Sequence, residues 1–396
     1  MGNARAGGER SLYCDDAGRV MPTQAHWFTR EEYLARLARV QAALAARGQE
    51  ALLAFLPETV TYLTGFFTRG YSSFQFAIVP AFGDPTVVCR DVEEYYLDAT
   101  CVFPGRFLWR DSDDPVAVGA DAIKHVVGPR ARVGAELGAW PLSAARYAAF
   151  TSILVDQVWE DATSLVTRMR LVKSAAEVEY QRRAGAAAEA GMAAGLAAAQ
   201  AGASERTMAA AICAAMVRAG SDLPGPGVLS SGERASHLHG AYSDRVLVAG
   251  DTIQVEVTPN VRQYHARFMR PAKVGRATEE DYRTVEQLIA IQDAALSEVA
   301  PGVPASVPDR IYREGVLAAG LRPSYTNKTF YSVGLMLAPS GGEALEAVPG
   351  CTWRFEQGMT FHTYVLACGF GMSETITITE TGYERLTRFP RQLFVT

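Results

Sequence analysis

Between Phe28 and Arg47 the apolar residues Tyr33, Leu37, Val40 and Leu44 recur at helical spacing, which sets one face of a helix for burial. Thr29 is placed to cap its start, Glu31 and Glu32 suit the first turn, and Gly48 stops it. The unbroken apolar run Ala51 to Leu56 reads as a buried strand. Phe74 to Phe82 and Thr86 to Cys89 read as two more, joined by the turn Gly83-Asp84-Pro85. Helix and strand keep alternating to about Leu165, the pattern of an α/β domain.

The texture changes at Lys173. Ala175 to Ala201 and Ser204 to Ala219 predict two Ala-rich helices, the second capped by Ser204; Met192, Leu196, Ile212 and Met216 give them a packing face. A Gly/Pro/Ser loop follows over 220–232. Strands are predicted at Thr252 to Thr258, Tyr264 to Met269, Met359 to Leu366 and Glu374 to Thr379, with a helix at Glu279 to Val299. This second domain is therefore α+β, with helices over a largely antiparallel sheet. The expected division is a loosely ordered lead-in over 1–21, an α/β domain over 22–165 and an α+β domain over 166–396.

Composition narrows the function classes. A chain of 396 residues suits two cores, and 48% hydrophobic with 20% charged residues is ordinary for a globular protein. A net charge of -5 argues against nucleic acid as the main partner. No apolar run approaches the ~20 residues that cross a bilayer, and Met1 to Met21 lacks the apolar stretch of a secretory signal. The six cysteines form no CxxC pair, as expected of reduced thiols in a cytoplasmic protein; Cys368 is the one candidate nucleophile among them.

Of six histidines, His26 and His125 lie in the first domain without polar company, while His237, His239, His265 and His362 fall in or just before the strands of the second. Imidazole is the side chain best poised for proton transfer near neutral pH, although a single strand histidine is more often structural. Alternation in DTIQVEVTP puts Ile253, Val255 and Val257 on one face and Glu256 on the other. Should this strand pair with YHARFMR, Glu256 and Arg267 would face each other, either as a plain cross-strand ion pair or in a site. His362 and Tyr364 share a strand face. Glu374 is expected to begin the next strand after the turn at Gly369 to Gly371, which would make it a carboxylate partner for Glu256.

These residues carry a resemblance. From Arg170 onward the chain resembles the pita-bread family that contains prolidase, methionine aminopeptidase and creatinase. LVKSAAEVE is similar to the family's approach to its catalytic domain. HGAYSDRVLVAGDTIQVEV, with His239 twelve residues ahead of Asp251, is similar to its histidine-to-Gly-Asp segment. FEQGMTFHTYV and SETITITETGYERLT resemble its last two strands, and the first domain, with YLTGFF, resembles its creatinase-type N-terminal domain. The metal-binding members hold two divalent ions with five side chains, and those positions fall here on Glu256, Arg267, Tyr331, Tyr364 and Ser373. One carboxylate and a fixed guanidinium do not suit two hard cations, so no metal and no other cofactor is expected.

The resemblance therefore points to the family's metal-free branch, that of creatinase and especially ectoine hydrolase. Glu256, Tyr264-His265, Arg270, YSVGL from Tyr331, Glu343, MTFH ending at His362 and Ser373-Glu374 all resemble the latter. Pro271 and the tryptophan-less SGGE at Ser340 to Glu343 depart from it. The implied activity is metal-independent hydrolysis of a non-peptide C–N bond in a small nitrogen-rich substrate, a cyclic amidine, guanidine or amide. Catalysis would fall to His239, Glu256, Glu374, His265, His362, Tyr331 and Tyr364, and substrate binding to Arg267, Tyr264, Glu343 and Arg270. The family's homodimer implies that Phe66, Phe67, Arg69 and Tyr71 line a partner protomer's pocket, the alternative being an aromatic core cluster. A non-hydrolytic acid/base enzyme (lyase, isomerase or cyclase) or a ligand-binding pseudo-peptidase remain as alternatives.

Overall fold

A computed structural model of the chain describes residues 26–222 and 225–396; the lead-in expected over 1–21 and Cys14 lie outside the described residues. The chain forms two compact units, divided between Val166 and Thr167.

In the first unit, α1 (Arg30–Arg47) is capped by the Thr29 hydroxyl, which accepts from the Glu32 N–H, and ends at Gly48 in the left-handed conformation, φ 63°. Tyr33, Leu37, Val40 and Leu44 are its buried face. The remaining elements are β1 (Ala51–Ala54), α2 (Pro57–Thr64), β2 (Phe76–Pro80), β3 (Thr86–Arg90), α3 (Glu94–Thr100), β4 (Gly105–Trp109), α4 (Pro115–Val127), β5 (Arg132–Ala135), α5 (Ala144–Ile153) and β6 (Val158–Asp161). The strands form one mixed sheet in the order β4-β3-β2-β1-β5-β6. Phe55, Phe74, Phe76 and Phe150 pack together in its core, Phe55 stacked on Phe76 and Phe150 edge-on to Phe76. Phe66 is completely buried within this unit, Phe67 and Tyr71 are half-buried and Arg69 is exposed.

After α6 (Thr163–Met169), the second unit is two helix pairs, each covering one face of a five-stranded sheet. Helices α7 (Ala175–Ala198) and α8 (Glu205–Arg218) pack so closely that a Cβ on Gly191 or Gly195 would come within 2.5 Å of Met216 or 2.7 Å of Ile212. Met192, Leu196, Ile212 and Met216 close over β7 (Val228–Ser231), β8 (Thr252–Val257), β11 (Phe268–Met269), β12 (Ala272–Lys273) and β18 (Phe394–Val395). Helices α9 (Glu279–Leu296) and α10 (Ser306–Ala318) cover the second sheet. Its strands are β13 (Phe330–Ser332), β14 (Glu346–Ala347), β15 (Thr360–Ala367), β16 (Phe370–Ile378) and β17 (Tyr383–Arg385). Apart from the parallel pairing of β12 with β18, all strand pairs of these two sheets are antiparallel, and the expected α+β class holds. No helix among the described residues is long and apolar enough to cross a membrane.

Three expectations need correction. The strand expected at Tyr264 to Met269 is broken: β10 (Tyr264–His265) pairs with β9 (Asn260–Val261), and β11 pairs with β8. Glu256 consequently lies opposite Met269 rather than Arg267, and no ion pair joins Glu256 to Arg267. The last hairpin turns on Cys368 and Gly369 alone, both at positive φ (53° and 80°), which matches a two-residue primed turn. Strand β16 thus starts at Phe370, Glu374 sits mid-strand, and Cys368 is a turn residue, its thiol pushed up by burial.

Candidate active site

Alternation on β8 and β15 builds the site. Ile253, Val255 and Val257 face α7 and α8, while Phe361 and Val365 face α9 and α10, so Glu256, His362 and Tyr364 are left on the faces turned away from the helices. These faces line a cavity of about 550 Å³ together with Tyr331, Arg267, His239, Glu343, Lys328, Glu346 and Met269. The sheets are joined beneath it by hydroxyls: the Met269 N–H donates to Ser373 Oγ (2.6 Å) and the Arg267 N–H to Thr375 Oγ1 (2.9 Å).

His362 is 1% exposed, stacked on Tyr364 (ring centroids 5.5 Å apart) and edge-on to Tyr331 (5.0 Å). Neither of its ring nitrogens has a hydrogen-bond partner, and Glu256 Oε1, also unpartnered, lies 3.8 Å from Nε2. Burial, aided by the charges of Arg267 and Lys328, drives the His362 imidazole well below its ordinary range, so it is neutral. Burial raises the Glu256 carboxyl, against the pull of Arg267 and His239. Tyr331 is pushed up to about 12 by burial, and Tyr364 is raised by the same cause, so both phenols keep their protons at neutral pH. Arg267 Nη1 donates to the Tyr331 hydroxyl at 3.1 Å. His239 stands exposed at the rim with φ 64°, a left-handed backbone that costs a residue with a Cβ about 1–2 kcal/mol.

Several expected site residues are elsewhere. Glu374 lies opposite Thr363 on β15, so it points to the other face from His362 and Tyr364; it pairs with Arg270 (2.9 Å, both side chains fully buried) and accepts from Thr387. Arg270 spends its other donors on the carbonyls of Met269, Ser373, Phe389 and Pro390. The Tyr264 hydroxyl donates to Glu177 at the start of α7, and His265 Nε2 meets the Met336 carbonyl at 3.1 Å, with its imidazole depressed to about 3 by burial and by Arg267. These four brace the fold. Glu343 lines the cavity but is held by Lys173 and Arg170. The reading missed Lys328, Glu346 and Met269. Met269 was within reach, since it shares the Arg267 face of its strand; Lys328 and Glu346, which pair with each other, carried no pattern.

The donor set does not fit a metal. Among the described residues no three His, Cys, Asp or Glu side chains come together in a way that could hold one, and Ser373 already accepts a backbone N–H. A guanidinium in the same cavity repels cations.

Residues 179–380 match the metallopeptidase family M24, and residues 36–172 match the creatinase/prolidase N-terminal domain. Over 93% of the chain and 98% of each relative, identity is 27% both to an uncharacterised hydrolase/peptidase, y4tM, of Sinorhizobium fredii and to ectoine hydrolase of Halomonas elongata. The crystal structure of dipeptidase PepE from Mycobacterium ulcerans superposes with a TM-score of 0.80 at 26% identity, covering 93% of this chain and 99% of that one.

Proposed function

Because this chain belongs to metallopeptidase family M24 yet offers a guanidinium and two phenols in its cavity, we propose that it hydrolyses a non-peptide C–N bond without a metal. The substrate class is a small nitrogen-rich molecule: a cyclic amidine, a guanidine or an amide. The carrying observation is the convergence of Glu256, His362 and Arg267, each with an unused hydrogen-bonding atom, beside two protonated phenols. Buried polar groups left unpartnered are costly, and a polar ligand supplies what they lack. Ectoine hydrolase and the dipeptidase PepE of Mycobacterium tuberculosis are each 27% identical over 93% of the chain, so the choice of a non-peptide bond rests on the guanidinium and phenols of the cavity.

In the mechanism we propose, His239 takes a proton from a water as its oxygen bonds to the substrate carbon. The same proton goes to nitrogen as the C–N bond breaks. His239 suits the task because it stands at the rim, whereas burial drives the His362 imidazole well below its ordinary range and makes it a poor proton acceptor. Tyr331 and Tyr364 donate to the oxygen that gains negative charge. Glu256 orients the water or the protonating nitrogen, and His362 offers it a neutral hydrogen bond.

The test is a mass-spectrometric screen of cyclic amidines, guanidines, lactams and amides for addition of one water. His239→Ala is expected to cost ~10²–10⁴-fold in kcat with the fold intact, and retention of more than about a tenth of the rate would remove His239 from the mechanism.

A further inference from the structure

The guanidinium of Arg267 has one edge in use and one edge without a hydrogen-bond partner. Both of its side-chain hydrogen bonds leave from Nη1, to the Tyr331 hydroxyl at 3.1 Å and the Gly341 carbonyl at 3.4 Å. The buried Nε has no partner and Nη2 makes no hydrogen bond. Nε–H and Nη2–H lie side by side and parallel, the fork that grips the two oxygens of a carboxylate. The face of the ion is fixed as well, since its carbon sits 5.7 Å from the centre of the Tyr331 ring.

Charge pairing points the same way. Two cations line the cavity. Lys328 is paired with Glu346, and Arg267 has no carboxylate within 4.0 Å. Glu343, the third acid of the lining, is matched by Lys173 and Arg170. A partly buried guanidinium without a counter-ion is unfavourable, and a single negative charge on the ligand neutralises it.

We propose that Arg267 is the anchor for a carboxylate on the substrate, which makes the substrate a nitrogen-rich monocarboxylic acid. The fork and the phenol fix the acid end, and the C–N bond then lies toward Glu256, His362 and His239. This rests on the hydrolytic reading for the reaction, but not for the binding.

Calorimetric titration of the intact protein tests it, with imidazolecarboxylate and pyrrolidinecarboxylate, their carboxamides, and methylphosphonate as probes. At least one carboxylate is expected to bind about tenfold or more tighter than its amide, and Arg267→Gln to erase that preference while Arg267→Lys keeps part of it. Equal binding of acid and amide, a preference that survives in Arg267→Gln, tighter binding of the phosphonate, or no binding by any probe would each overturn the proposal. Should Arg267→Gln fail to fold, the acid-against-amide comparison in the unaltered protein and in Arg267→Lys decides. Carboxylate preference without any hydrolysed product would sink the hydrolytic reading alone. A hydrolysed substrate lacking an acid group, with kcat/KM unchanged in Arg267→Gln, would sink this one alone.

Discussion

Glu256 is 9% exposed, and its carboxyl oxygen Oε1 has nothing to hold it. Burial lifts its titration above that of the unfolded chain, so the folded state keeps this proton to higher pH than the unfolded state does. A group of this kind stabilises the fold in acid, and that contribution is lost as pH rises through the folded value. Glu256→Gln, which stays neutral, is therefore expected to melt at higher temperature than the unaltered protein at pH 7–8, by on the order of 1 kcal/mol, and to match it at low pH while losing turnover. A lower melting temperature at pH 8 would show that the carboxylate is better solvated than its surroundings imply. At this scale the sequence was readable wherever strand alternation was secure. The even-numbered face of β15 put His362 and Tyr364 together, and β8 put Glu256 opposite its core residues. It failed at Glu374, because one miscounted turn shifted the strand start from Phe370, and mid-strand parity sends that side chain to Arg270 instead.

The elements that the chain announces most clearly are those with a cap and a periodic face. Thr29 and Gly48 bound α1, and Ser174 with Glu177 forms a capping box at the start of α7. Helix α10 went unread: Tyr312 and Val316 lie on its buried face, but Ala305 at its start supplies no side-chain cap to announce it. Nothing local announces that the two-residue strand β11 leans on β16 through hydroxyls, since that contact depends on tertiary register. Ser373 occupies a position that a metal ligand would hold by resemblance, and here it satisfies the Met269 N–H. Ser373→Ala leaves that buried donor unpaired and is expected to cost about 1–3 kcal/mol by urea unfolding, with Met269 and Arg267 displaced at the cavity floor. A cost below a few tenths of a kcal/mol would mean that water or a shifted strand replaces the hydroxyl.

For the whole molecule, the proposed chemistry keeps the fold of the family to which the chain belongs and dispenses with its metals. Two helix pairs and two largely antiparallel sheets hold the cavity through apolar cores, buried pairs such as Arg270–Glu374 and hydroxyl cross-links, none of which needs a metal ion. What remains inside is one carboxylate free of salt bridges to basic side chains, one guanidinium, two phenols and a neutral imidazole, a set suited to binding and protonating a small polar molecule. Metal analysis by inductively coupled plasma mass spectrometry tests this most directly, on protein incubated with manganese, zinc or iron and then desalted, alongside Glu256→Gln. The expected result is less than about 0.1 equivalent of any metal, unchanged in the variant. One or two equivalents retained by the unaltered protein and lost in Glu256→Gln would contradict the proposed chemistry.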